Sequence, residues 1–438
     1  MPSAASPARP RMRHQHGRWP SLLLALSLVA CARVDAPQTS LARSGEAERL
    51  CLDTLSIPAA PPVTQPDADD AALAAALAAA RQTPPQAATR IALGRTWLRL
   101  AQARSRAGWL LQAGACAAAA RVLAADAIPV LELDAAVALA QHRFRDAERL
   151  ALRALAARPD ALAALGVLSD ARLELGDYAG AATATRQQMQ LWPGAAAHAR
   201  SAWLHWLHGD VRAARQAMLQ ALRGRDARTP GFNAWLWSET ALLYWQEGDL
   251  EGAAQLYEQA LAQRRGFAPA LLGQARIALA RERPQLATRL ARAADAAGAG
   301  MDAAIVLGDA LHALGETDAA AAAWRRAEAL GRRSDDLGLA RFLVERDRQP
   351  ELGRRMLERL HRERPSIQVE AALAWAHYRT GDCIAALNHS RAARRLGTRE
   401  SQLWRQSAEI ESHCGNATTA RTLAAAARHL APATAPRT

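Results

Sequence analysis

The sequence predicts an all-α solenoid, and three observations carry that prediction. Half of the residues are apolar while aromatics make up only 5%. Much of the apolar share is alanine, which suits closely packed helices and not sheets, which favour β-branched and aromatic residues. In the stretch 234–265, Trp237, Ala241 and Tyr244 recur at i, i+4 and i+7, and so do Ala253, Tyr257 and Ala260 after a tight turn at Gly248-Asp249. This pattern describes two amphipathic helices forming a hairpin. A single hairpin cannot bury its own apolar face and needs like neighbours. The pattern recurs along most of the 438 residues.

Residues 1–30 read as a secretory leader. Arg9, Arg11, Arg13 and Arg18 form a basic start without acids, and the apolar run at 22–30 is too short to span a bilayer. The run ends in Leu28-Val29-Ala30-Cys31, which resembles the lipobox of bacterial lipoproteins. That resemblance implies cleavage before Cys31, acylation of its thiol and its new amine, and, with Ala32 where aspartate would retain the protein, sorting to the outer membrane. Several acyl chains anchor firmly, whereas one binds only marginally. The other reading is an ordinary cleaved leader followed by a chance cysteine. Loss of residues 1–30 would lower the net charge from +13 to +9.

Residues 31–66, with prolines at 37, 58, 61, 62 and 66, are expected to be a lipidated N-terminus and flexible tether, with at most a helical turn or two near Arg49 to Leu55. Residues 67–93 form a helical lead-in. Its helix over 67–81 has acids at the start and Arg81 at the end, and Pro84-Pro85 breaks it.

From there the turn recurs. Equivalent turns fall at Gly108, His142, Gly176, Gly209, Gly248, Glu282, Gly315, Arg348, Gly381 and Gly415, at steps of 33 or 34 apart from one of 39 that holds an extra loop at 224–232. Five residues after each comes a small residue: Ala113, Ala147, Ala181, Ala214, Ala253, Ala287, Ala320, Gly353, Ala386 and Ala420. Only a small side chain fits where two helices cross closely. Pro159, Pro193, Pro365 and Pro432 mark helix ends.

This spacing resembles the tetratricopeptide repeat, whose signature is W-x2-L-G-x2-Y, A-x3-F and P over 34 residues. The likeness is strongest at 234–265 and at 301–331, where Leu307-Gly308 and Leu311 precede Gly315 and Ala320 and Trp324 follow it. Trp97, Trp237 and Trp404 stand at the signature tryptophan. His142, Glu282 and Arg348 depart from the turn glycine and imply less standard turns. The resemblance spans 94–434 and leaves 435–438 as a disordered tail. It implies a right-handed superhelix of about ten helix pairs, with a concave groove lined by the first helix of each pair.

The family geometry also places Cys383 beside Cys414 at the turn edge, which implies a bridge between them; free buried thiols are the other reading. Cys51 and Cys116 would then be the remaining pair, pinning the tether to the first repeat.

The chain has no H-E-x-x-H, phosphate-binding glycine loop, G-x-S-x-G elbow or C-x-x-C-H. No enzyme activity, cofactor or metal is expected. His198, His205 and His208 share a helical face, but the first two hold packing positions of the repeat, so interhelix packing is the favoured role. Six of the twelve tryptophans lie between Trp192 and Trp245. Trp203, Trp206, Trp235 and Trp245, with Trp375 and Tyr378 further along, hold places that face the groove in the family. Arg276, Asp309, His312 and Glu345 share that face. Such rings anchor partners because they bring large area with few torsions to freeze. Burial against neighbouring helices is the alternative.

All 55 basic residues are arginine. They are scattered, not gathered into a stripe, which fits a compositional bias and does not point to nucleic acid. The expectation is therefore a lipid-anchored scaffold of the bacterial envelope that faces the periplasm. It would bind a segment or helix of an envelope protein in its groove, in assembly of a complex. The alternative is an accessory lipoprotein for export of an anionic polysaccharide.

Overall fold

The computed structural model describes residues 44–53, 68–104, 108–227, 229–332, 336–428 and 430. The leader at 1–30, Cys31, Pro432 and the tail at 435–438 lie outside the described residues, as do parts of the expected tether.

The described residues form 22 α-helices. Two precede the repeats: α1 (Ser44–Leu52) and α2 (Ala68–Ala80). Five hairpins follow in the first half: α3 (Ala87–Ala103) with α4 (Trp109–Leu123), α5 (Ile128–Ala140) with α6 (Phe144–Ala157), α7 (Leu162–Leu175) with α8 (Tyr178–Leu191), α9 (Ala195–Leu207) with α10 (Val211–Arg223), and α11 (Pro230–Gln246) with α12 (Leu250–Gln263). Five more complete the series: α13 (Ala268–Ala280) with α14 (Pro284–Ala296), α15 (Gly300–Ala313) with α16 (Thr317–Gly331), α17 (Asp336–Glu345) with α18 (Pro350–Glu363), α19 (Ile367–Arg379) with α20 (Cys383–Ala393), and α21 (Ser401–Cys414) with α22 (Ala417–Ala427). Within each hairpin the two helices pack on each other, and each hairpin packs on the next through its second helix. The described residues form an all-α, tetratricopeptide-like solenoid with ten helix pairs.

Local sequence explains the hairpins. The turn residue adopts positive φ at Gly176, Gly209, Gly248, Gly315 and Gly381, and also at His142 and Glu282. The family turn therefore persists without glycine at these two places. In the eighth hairpin Asp347, not Arg348, takes the left-handed conformation at φ 50°, which shifts that turn by one residue. Gly108 and Gly415 have negative φ. After four of the turns an aspartate caps the second helix: Asp177, Asp210, Asp249 and Asp382 accept from the backbone N–H of Gly180, Ala213, Gly252 and Ala385. The small residues five places after the turns are all buried. A Cβ on Gly353 would lie 2.5 Å from Val344 Cγ2, so that crossing needs the smaller residue.

The segment expected to be a tether is partly structured. Helix α1 packs on α4, Cys51 is bonded to Cys116 with Cα atoms 4.6 Å apart, and Trp97 donates to the Cys51 carbonyl at 3.2 Å. Buried Arg90 pairs with Glu48 and also donates to the Ala80 carbonyl, tying α3 to both leading helices. At the other end Cys383 is bonded to Cys414 with Cα atoms 5.2 Å apart, joining the start of α20 to the end of α21.

The coil also closes on itself. Tyr178 Oη accepts from the Ile367 N–H at 2.8 Å, Arg364 pairs with Glu174 at 3.2 Å, and Thr398 Oγ1 donates to the Leu207 carbonyl at 2.5 Å. These partners lie 189 to 191 residues apart, which at 33 or 34 residues per hairpin is between five and six hairpins per superhelical coil. Arg264 with Asp69 and Arg399 with Glu247 add further ties between coils. The loops of the second coil thus rest on the hairpin turns of the first.

Candidate interaction surface

The tight coil changes what the groove can be. Five or six inner helices at the ~10 Å spacing of packed helices enclose a ring of roughly 50–60 Å circumference. Helices of ~10–12 Å diameter then leave roughly 2–4 Å of radius inside. Side chains fill a bore of that size. Accordingly Trp203, Trp206 and Trp235 are only 5%, 4% and 8% exposed. They belong to one packed cluster with Leu236, Leu243, Phe267 and, from the second coil, Ile367. Trp203 and Trp206 meet edge-on at 5.1 Å. For these three rings the groove expectation is corrected: they are core, because neighbouring hairpins and the next coil cover the face they occupy.

Polar groups are engaged between hairpins as well, among them Asp309, Glu345 and Arg276 of the expected face and, outside that expectation, Arg200 with Asp170. Arg200 binds both oxygens of the buried Asp170, at 2.9 and 2.7 Å. Asp309 accepts from Arg346 at 2.7 Å and from Trp324 at 3.1 Å. Burial pushes both carboxyls above their usual range against the pull of these arginines. Glu345 meets Arg341 at 3.3 Å and Gln402 at 2.7 Å, and Arg276 lies 3.9 Å from Asp302. The Arg200–Asp170, Arg346–Asp309 and Arg276–Asp302 pairs join successive hairpins, Gln402–Glu345 joins the tenth to the eighth, and Arg341–Glu345 lies within α17. His312 is exposed, with its ring 5.7 Å from Trp324.

Of the aromatics expected in the groove, those still accessible lie at two places. Trp245 is half-buried at the margin of the tryptophan cluster. Trp375 and Tyr378 are half-buried on α19 with ring centroids 5.0 Å apart. The Tyr378 hydroxyl donates to Glu409 at 3.2 Å, and its ring lies 5.8 Å from that of His413. Burial and the neighbouring Glu409 carboxylate raise that hydroxyl above its ordinary pKa. The structure therefore pairs Trp375 with Tyr378 and sets Trp203, Trp206, Trp235 and Trp245 in one cluster. It does not join these two groups, Arg276 and His312 into one strip.

The histidines on α9 are not core. His205 is exposed and His198 half-buried, because they line a shallow cleft with Ala217, Gln220 and Arg223 of α10, and His208, just past the end of α9, is also exposed. Three features were missed from sequence. Trp192 is 64% exposed just beyond α8, where the following Pro193 was the available signal. Ile384 is exposed beside Cys383. His361, Glu370 and His389 converge between α18, α19 and α20; their spacing of nine and nineteen residues matches no local motif, and the hairpin register alone would have brought them together.

No family model and no curated protein matches the chain. Among solved structures, human IFIT1 as a dimer with m7Gppp-AAAA is 15% identical, with 71% of this chain and 72% of that chain covered and a TM-score of 0.49. PilW, a widely conserved type IV pilus biogenesis factor, is 18% identical over 48% of this chain and 95% of its own, with a TM-score of 0.40. PilF of Pseudomonas aeruginosa is 16% identical over 45% and 89%, with a TM-score of 0.39. A shared repeat architecture at such identity does not transfer a ligand.

Proposed function

We propose that the chain is an exported, non-catalytic scaffold, anchored through an acylated Cys31 to a bacterial envelope membrane on its periplasmic side. There it holds a protein partner in assembly of an envelope complex. The observation that carries this reading is the state of the cysteines: the four that follow Cys31 are all disulfide-bonded, as Cys51–Cys116 and Cys383–Cys414. Bonds of this kind form and persist in oxidising compartments, which accords with the leader and lipobox at 1–31. No helix among the described residues is long and apolar enough to cross a membrane, and acylation of Cys31 supplies the anchor.

Of the residues expected in the groove, Trp375 and Tyr378 make the partner site, while Trp245, Arg276 and His312 lie apart from it and would be separate, accessory contacts. Trp375 and Tyr378 are the anchor, because they form one amphipathic patch with Glu409 and His413 at the end of the coil. Two measurements test this. Metabolic labelling with a fatty-acid probe should mark the wild type and be lost in Cys31→Ala; equal labelling of both discards the anchor. Crosslinking in the native envelope should capture one partner protein, and Trp375→Ala with Tyr378→Ala should abolish capture. Unchanged capture discards the aromatic site. Recovery of an acidic polymer, with binding that weakens steeply with salt, would favour the polysaccharide reading instead.

A further inference from the structure

Buried carboxylates in this arginine-rich chain are usually met by guanidinium groups. Glu132 is paired with Arg95 and Arg158, Asp170 with Arg200, Asp309 with Arg346 and Glu411 with Arg394. Glu370 is different. It is buried on α19, and its hydrogen-bond and ion-pair partners among the described residues are two imidazoles. His361 Nε2, from the end of α18, lies 2.9 Å from Glu370 Oε1. His389 Nδ1, from α20, lies 2.7 Å from Oε2. The three ligand-type atoms are all within 4.8 Å of one another.

An arginine offers only donors. An imidazole also offers a lone pair, so the substitution of histidine for arginine changes what the site can hold. The Glu370 carboxylate therefore brings a negative charge to a site whose two other groups can each offer a lone pair. A divalent ion removes that charge and uses both lone pairs.

We propose that His361, Glu370 and His389 form a divalent transition-metal site, best suited to zinc. Two imidazoles and one carboxylate make a three-ligand zinc set that leaves a fourth position for water. A tetrahedron with metal–ligand bonds of ~2.0–2.2 Å has edges of about 3.3–3.6 Å. The two contacts of 2.9 and 2.7 Å and the 4.8 Å limit on the set bracket those edges. His361 and His389 are partly exposed, with side-chain accessibilities of 32% and 23%, so an ion and its water can enter from their side. His377 stacks on His389 at 5.3 Å with 7° between the planes and acts as a positioning residue. The bound ion would clamp α18, α19 and α20 together directly behind the seam where Ile367 meets Tyr178.

The test uses the full chain, stripped with chelator and titrated with zinc chloride at pH 7.5 by calorimetry, with cobalt(II) absorption as a second readout. One equivalent should bind with micromolar or tighter affinity and raise the melting temperature, and cobalt should give the visible bands of a tetrahedral site. His361→Ala, on the accessible side, should weaken binding by at least about 100-fold, and His377→Ala by about 10-fold. Glu370→Gln should abolish binding; should it fail to fold, His361→Ala and His389→Ala carry the same test. Absence of saturable binding, undiminished binding in both histidine variants, or loss of binding in His198→Ala/His205→Ala instead, overturns the proposal.

Discussion

The hairpin turns at Gly176 and Gly209 and those at Gly315 and Gly381 are locally the same object. Their φ values are 84°, 76°, 80° and 84°. Their surroundings are not. A Cβ on Gly176 would stand 2.8 Å from the Pro365 carbonyl oxygen, and one on Gly209 would stand 2.6 Å from that of Gly397. At Gly315 and Gly381 nothing lies within 4 Å. Glycine is therefore required twice over in the first pair, by backbone conformation and by the coil resting on it, and once in the second. A repeat sequence specifies its own turn; which turns become a seam depends on how tightly the whole array winds.

Substitutions can break or sharpen this contrast. The largest effect is expected at Tyr178, buried against the second coil, where Arg395 lies over its ring and burial pushes its hydroxyl pKa up to about 12. Tyr178→Ala should cost about 3–5 kcal/mol. Thr317→Ala, at the same place after the open turn at Gly315, should stay within about 0.5 kcal/mol; urea unfolding followed by circular dichroism compares them. Similar losses at both positions would mean that the seam contributes little.

Next, Gly209→Ala should exceed Gly315→Ala. The open turn pays only the left-handed strain of about 1–2 kcal/mol, while the seam adds about 1–3 kcal/mol of overpacking. Equal melting temperatures for the two variants would place the coils further apart than described. Tyr178→Phe isolates one bond, leaving the Ile367 N–H without its acceptor at a loss of about 1–3 kcal/mol, and amide exchange at Ile367 should accelerate. The smallest change is expected for Glu247→Gln, which removes an exposed tie to Arg399 at 3.2 Å. It should cost less than about 1 kcal/mol and vanish in high salt; a larger, salt-independent loss would show that the seam is electrostatic.

Much of the fold was legible because repeats write the same physics many times. The small residues from Ala113 to Ala420 were readable as crossing points because any larger side chain would push two helices apart, and each is buried. The start of the solenoid was less legible. Proline content made 31–66 look like a tether, but the bond from Cys51 to Cys116 and the packing of α1 on α4 override composition over 44–52. The candidate site was read least well. Trp203, Trp206 and Trp235 hold groove places in the sequence register, yet their exposure depends on the radius of the coil, which no single repeat encodes.

By itself, the sequence determined the helix pairs, their number, their turns to within a residue and the small crossing positions, because these depend on neighbours within about one repeat. Tertiary structure alone decided that the second coil rests on the first, that three groove tryptophans are core, and that His361, Glu370 and His389 meet. Those outcomes depend on small rotations between hairpins accumulated over five or six units. The same accumulation separates the turn at Gly209, pressed against Gly397, from the turn at Gly315, which faces open space.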